Sequence, residues 1–433
     1  MNTISEKDQK ELDKIISIAR KYRDNTISES MFLDVAYSIK ADKNQILDFK
    51  EYIRDRNIIF ISGDYEVEDF DERIDDSAKM DPYDMTNIDI SPKPLTIDMI
   101  IARLENDEID LLPDFQRKAG LWSAQQKSQL IESLILRIPL PAFYFDGSNN
   151  DRWIVIDGLQ RLTALKEFFV DKTLSLSDLE FLQDLNNTKI DDMPRAYERR
   201  MKETQVTAYI INPGAPVSLK YNIFKRINTG GLRLEPQEIR HALYQGYATR
   251  YIKELAELSI FMEATGYSIK TERMLDREFV LRFIAFYEQG LTLYSGAIEL
   301  FLNDAMEIIN KKYDPVTNDG HAESIKELFI EILKLNSTLF GRFAFRKMPD
   351  KDKRRPISKA LFETWMTCLA KLPPSNRQAL LDRKGALVDK YMTLYNDNPG
   401  GFVDSLGSAK ISSVRKRFDV IQGLIAEVLG NAG

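Results

Sequence analysis

The sequence predicts an α+β chain: a mixed core of strands and helices, preceded by a small helical domain and followed by a longer helical one. Three observations predict it. Apolar residues recur at helical spacing through the first sixty residues, short apolar runs alternate with helical stretches from Pro92 on, and nearly every apolar pattern beyond Ser218 is helical. At 433 residues the chain exceeds one core of ordinary size. The expected division is a small helical domain over 1–63, an acidic linker over 64–90, a mixed domain over 91–246 and a helical domain over 247–433.

In the first domain Leu12, Ile15, Ile16 and Ile18 mark one helix, and Met31, Phe32, Val35 and Ala36 a second. Residues 44–53 predict a third, and 58–61 a short strand. The order ISIARKY, ISESMFLDVAYSIK, NQILDFKEYIRDRNIIFI resembles region 1.1 of bacterial primary sigma factors, which implies an RNA polymerase partner; the alternative is a plain protein-interaction module. From Asp64 to Asp89 eleven acidic residues face only Arg73 and Lys79. This stretch, with Pro82 and few large apolar residues, predicts a solvated linker.

In the mixed domain a strand or short helix is expected around Leu95–Leu104, followed by the loop LLPDFQRKAGLW. Ser123 is placed to cap a helix running to about Leu136, with Gln126 completing a capping box. Pro139 and Pro141 end it. Strands over 142–145 and 152–156, joined by DGSNND, predict a hairpin that delivers Asp157-Gly158 to its end. A helix over 159–170 and a strand over 205–211 follow. Helices are expected over 217–227 and 237–244 around the turn NTGGLRLEP, then over 277–287, 298–310, 325–335, 358–372 and 412–429.

Composition excludes several chemistries. With 43% hydrophobic and 29% charged residues the chain falls outside the disordered and membrane classes. No apolar run reaches membrane-spanning length and the start MNTISEKDQKELDK is no secretory signal, so a cytoplasmic protein is expected. Its one cysteine, Cys368, lies in the apolar run TWMTCLAKL and excludes an internal disulfide or thiolate cluster. With only His241 and His321, multi-histidine zinc sites are excluded as well. Hydrolysis would then rest on carboxylates, polar side chains or a carboxylate-held magnesium ion. The net charge of −7 conceals the acidic linker, whose own net is −9; the remainder is at +2 and does not argue against nucleic acid.

The run WIVIDGLQRLTAL, residues 153–165, carries the strongest chemical signal. A strand breaks at Asp157-Gly158 and restarts as a helix bearing Gln160 and Arg161, a layout that suits an anion because the first N–H groups of a helix lack partners. Arg117 and Arg161 are the candidate phosphate contacts, since guanidinium forks match phosphate oxygens. Gln116 and Gln160 are candidates to orient water or base. Asp157 has two readings, a general base or magnesium ligand on one hand and a helix cap on the other. Asn228 and Thr229 either reach the same pocket or shape a helix end with Gly230 and Gly231. Trp122 and Trp153 read as walls of the core, and the basic runs 346–355 and 414–417 as candidate nucleic-acid contacts.

The motifs FQRKAGLW, IDGLQRLT, FKRINTGG and QEIR occur in this order over roughly 91–244, and the helical run DREFVLRF follows at 276–283. Together they resemble the N-terminal domain of GmrSD-type restriction systems, whose fold is similar to the ParB nuclease and nucleotide-binding domain. The resemblance implies a ParB-like core, a nucleotide triphosphate with Mg2+ as cofactor, and NTP hydrolysis in bacterial defence. It also implies DNA and a nuclease as partners. The site it implies comprises Asp157, Gln160 and Arg161 as catalytic residues, with Gln116, Arg117, Gly158, Asn228 and Thr229 around the nucleotide. Alternatives remain open: a non-catalytic regulator that uses nucleotide as a switch, or a metal-dependent DNA nickase. Leu159 departs from the family pattern, which has a glutamine there, and this puts hydrolysis in question rather than binding.

Overall fold

The computed structural model describes residues 4, 6–22, 25–28, 32, 35–36, 41, 43–61, 90–111, 122–149, 151–214, 220–224, 235–315, 320–352 and 354–430. The architecture is α+β with a small mixed sheet and a helical C-terminal region. Two compact units make up the chain: Met1–Ala78 with Gly246–Gly433, and Lys79–Gln245. Among the described residues no helix is long and apolar enough to cross a membrane.

The first unit opens with helix α1 (Glu6–Tyr22), strand β1 (Thr26–Ser28), helix α2 (Lys43–Arg54) and strand β2 (Ile59–Ile61). The two strands pair in parallel, Ile27 opposite Phe60. Leu12, Ile15, Ile16, Phe49 and Ile53 are buried between them, as their helical spacing requires, and Tyr267 from later in the unit packs against this cluster.

The second unit is built on a five-stranded sheet. Its strands are β3 (Ile90–Thr96), β4 (Ile109–Asp110), β5 (Phe143–Asp146), β6 (Trp153–Asp157) and β7 (Gln205–Ile211), in the order β3-β7-β5-β6-β4. β5 runs antiparallel to β6 and parallel to β7, and β4 runs parallel to β6. Alternation along the strands gives the sheet two faces. Phe143, Phe145, Trp153, Val155, Ala208 and Ile210 join one core with helices α3 (Ile97–Glu105), α4 (Ala124–Ile135) and α5 (Leu159–Leu165). The neighbours Tyr144, Ile154, Ile156 and Ile211 face a second cluster, with Tyr221 and Phe224 of the helical residues 220–224 and with Ile239 of helix α6 (Pro236–Leu243). The Ser123–Gln126 capping box forms at the start of α4 as its sequence predicts. The helix expected over 159–170 stays α-helical only to Leu165 and widens to a π-turn over Lys166–Val170.

Beyond Gln245 the first unit is helical. Helix α7 (Leu275–Glu288) lies among its neighbours and packs on α8 (Ile298–Lys312) and α9 (Lys359–Ala370), with α10 (Ile411–Leu429) against α9. At its centre Glu363 of α9 accepts from Arg282 Nη1 at 2.9 Å and from Arg417 Nη2. Arg282 also donates from Nε to Glu278 at 2.8 Å. Each of the two basic runs named in the sequence gives one arginine to the interior of the unit, while Lys351, Arg415 and Lys416 stay exposed. Arg417 is buried and donates to the carbonyls of Ser405 and Ser408. Arg346 is buried as well, donating to the Thr265 carbonyl and Ser268 Oγ. A guanidinium has five fixed donors, and both of these are used to satisfy chain carbonyls rather than presented outward. Cys368 is buried in α9, and burial pushes its thiol up to about 12, which makes it inert.

Candidate functional site

The hairpin β5–β6 sets Tyr144 opposite Asp157, and the chain turns at Gly158 into α5. Gly158 has φ of +102°, and a Cβ there would lie 2.4 Å from Cδ1 of the Phe143 ring. Both the left-handed backbone and the close approach require glycine at this position. The packing of the strand onto the start of the helix therefore fixes the turn.

Arg161, one turn into α5, is folded back beneath the turn and is 8% exposed. It donates from Nη1 to the carbonyl of Pro141, and from Nη2 to the Ala142 carbonyl at 3.1 Å and to Asp157 Oδ2 at 3.0 Å. Its guanidinium carbon lies 4.4 Å from the centroid of the Phe143 ring. Burial pushes the guanidinium below its ordinary value, opposed by the neighbouring Asp157 carboxylate, which favours the charged form. The chain uses this arginine to brace the entry to β5. Among the described residues its Nε–H and one N–H on Nη1 have no protein partner, and these are what it can offer a ligand.

Asp157 ends β6 with its side chain 32% exposed, held on one oxygen by Arg161. Gln160, half-buried on α5, accepts from the backbone N–H of Trp122 at 3.1 Å. That bond ties Trp122 to the Asp157–Arg161 turn. β4 lies parallel to β6, so β4 and β6 end at one edge of the sheet. Asp157, Gly158, Gln160 and Arg161 are thus brought together, while Gln116, Arg117, Asn228 and Thr229 lie outside the described residues. Leu159 packs partly buried against the main core, so its place in the chain is explained by apolar packing. Trp153 is buried with Arg103 3.8 Å above its ring, and walls the core as its sequence context predicts.

Among the described residues no group of three His, Cys, Asp or Glu side chains could hold a metal ion. Asp157 offers the oxygen that Arg161 does not take, which suits a magnesium ion arriving with phosphate and water ligands rather than one caged by protein.

A second polar cluster escaped sequence reasoning. Asp146 at the end of β5 and Lys220 are buried and meet the exposed Ser148: Lys220 Nζ donates to Asp146 Oδ2 at 2.9 Å and to Ser148 Oγ. The DGS tripeptide signals a turn, and Ser148 N–H does donate to Asp146 Oδ1 at 3.0 Å, but no spacing links it to Lys220.

The sheet and the braced turn define a small α+β domain with an acid, a glutamine and an arginine gathered where β6 ends. Residues 100–245 match the family model described as GmrSD restriction endonuclease, N-terminal domain. No curated protein matches the chain.

Proposed function

We propose that the Lys79–Gln245 unit is a ParB-like nucleotide-binding module that hydrolyses NTP and works with DNA in restriction-type defence, in the cytoplasm and with a nuclease as partner. The Gln160–Trp122 hydrogen bond supports this reading, because it joins the tryptophan that closes the first motif to the turn 38 residues on. In this reading Arg117 and Gln116 contact the phosphates, and Asn228 and Thr229 the nucleotide. Arg161 holds Asp157, and Asp157 orients water or accepts its proton. Magnesium, when bound with the nucleotide, supplies charge neutralisation at the phosphates.

The switch reading, binding without turnover, draws on a specific observation: Arg161 is already engaged by two carbonyls and Asp157, which leaves it few donors for a transition state. One experiment separates the readings. Purified protein is given each NTP with magnesium, with and without plasmid DNA, and compared with Asp157→Asn and Arg117→Ala. Turnover is expected to fall by about a hundredfold in Asp157→Asn, while Arg117→Ala loses binding. Binding without phosphate release in the wild type favours the switch, and NTP-independent plasmid nicking lost in Asp157→Asn favours the nickase. No binding of any nucleotide would sink the proposal.

A further inference from the structure

We infer that Lys220 is a positioning residue for Asp157, acting from the opposite end of the sheet through the helical residues 220–224 and Ile156. The inference rests on the reading of Asp157 given above. In the β5–β6 hairpin Asp146 pairs with Ile154 and Tyr144 with Asp157, so the two carboxylates mark opposite ends of the pairing. At the Asp146 end the Lys220 ammonium is closed in, with its side chain 9% and that of Asp146 5% exposed. The second carboxylate oxygen takes Ser148 N–H at 3.0 Å and Ser148 Oγ at 2.6 Å. Gly147 permits this turn to lie against β7, since a Cβ there would come within 2.5 Å of Ile210 Cγ2.

From this clamp the helical residues run over the sheet, where Tyr221 and Phe224 share a buried cluster with Ile156, the residue before Asp157. Close-packed interiors pass displacements on rather than absorbing them. A shift of the helix is therefore felt at Ile156 and, one residue later, in where the Asp157 carboxylate points relative to Gln160. A directional ion pair at Lys220 fixes the register of residues 220–224, which apolar contacts of the same area would leave free to slide.

Hydrogen exchange and nucleotide turnover of the full chain test this with Lys220→Met, Lys220→Arg and Asp146→Asn. In Lys220→Met the amides of 154–157 are expected to exchange about tenfold faster, with α4 unchanged. Nucleotide affinity holds within about twofold while phosphate release falls about tenfold, as misplacement of a reacting group requires. Lys220→Arg restores both. If Lys220→Met does not fold, Asp146→Asn, which keeps the shape and removes the charge, decides on the same readouts. Unchanged exchange at 154–157, or equal acceleration throughout the unit, overturns the inference. A wild type that binds no nucleotide defeats the proposed function instead, and the exchange result still decides whether Lys220 positions Asp157.

Discussion

Two arginine–carboxylate clusters in this molecule use the same chemistry to opposite ends. Around Glu363 the charges are sealed in: the carboxylate is wholly buried and shared by the buried Arg282 and Arg417, which also donate to Glu278 and to two carbonyls respectively. Around Arg161 the arginine is buried, but its carboxylate is about one-third exposed and a half-buried glutamine stands beside it. A closed cluster can only hold helices together. An open one, braced from behind, keeps a carboxylate in fixed geometry while leaving an oxygen for something else, and this is how a chain prepares an acid for work.

That contrast can be broken from either side. The largest effect is expected from Glu363→Ala, which leaves two arginines buried around a missing acceptor; denaturant unfolding should show a loss of about 3–5 kcal/mol. Asp276, at the start of α7, is the exception in the closed unit: burial raises its carboxyl to about 6, against the pull of the Arg277 backbone N–H, and among the described residues its Oδ1 has no hydrogen-bond partner. Because the folded value lies above the unfolded one, the contribution is fully present below about pH 4 and is lost as pH rises through 6. Asp276→Asn should therefore flatten the decline in stability across that window and recover about 2–3 kcal/mol at pH 7, measured by urea melts at several pH values. Gly158→Ala forces a Cβ into the Phe143 ring at positive φ and should cost about 1–3 kcal/mol, with turnover lost along with it. The smallest effect belongs to Lys127→Ala, which removes a partly exposed pair to Glu167 at 2.7 Å and should cost less than about 1 kcal/mol.

Much of this architecture was legible wherever the cause is local. The capping box at Ser123, the hairpin ending at Asp157 and the strand over 205–211 are written in adjacent residues, and the structure has them. The strand Ile90–Thr96 is hidden because Pro92 and Pro94 argue against it; it survives because it lies at the edge of the sheet, where missing N–H donors cost nothing. The strands Thr26–Ser28 and Ile109–Asp110 are too short for any period and are set by their partners. At the site the sequence locates the turn but not the direction of Arg161, since the carbonyls that draw it inward lie about twenty residues upstream. The same holds for Lys220, whose partner is 74 residues away, and for Arg346 and Arg417, since a count of charges in a run does not tell which of its members turns inward.

The most direct test of the account is phosphate release from NTP with magnesium and DNA, followed for the wild type and for Asp157→Asn with nucleotide affinity measured in parallel. The account predicts release by the wild type, and in the variant a fall of about a hundredfold with affinity nearly kept. Equal release by both proteins would contradict it, because the open carboxylate would then have no part in the reaction.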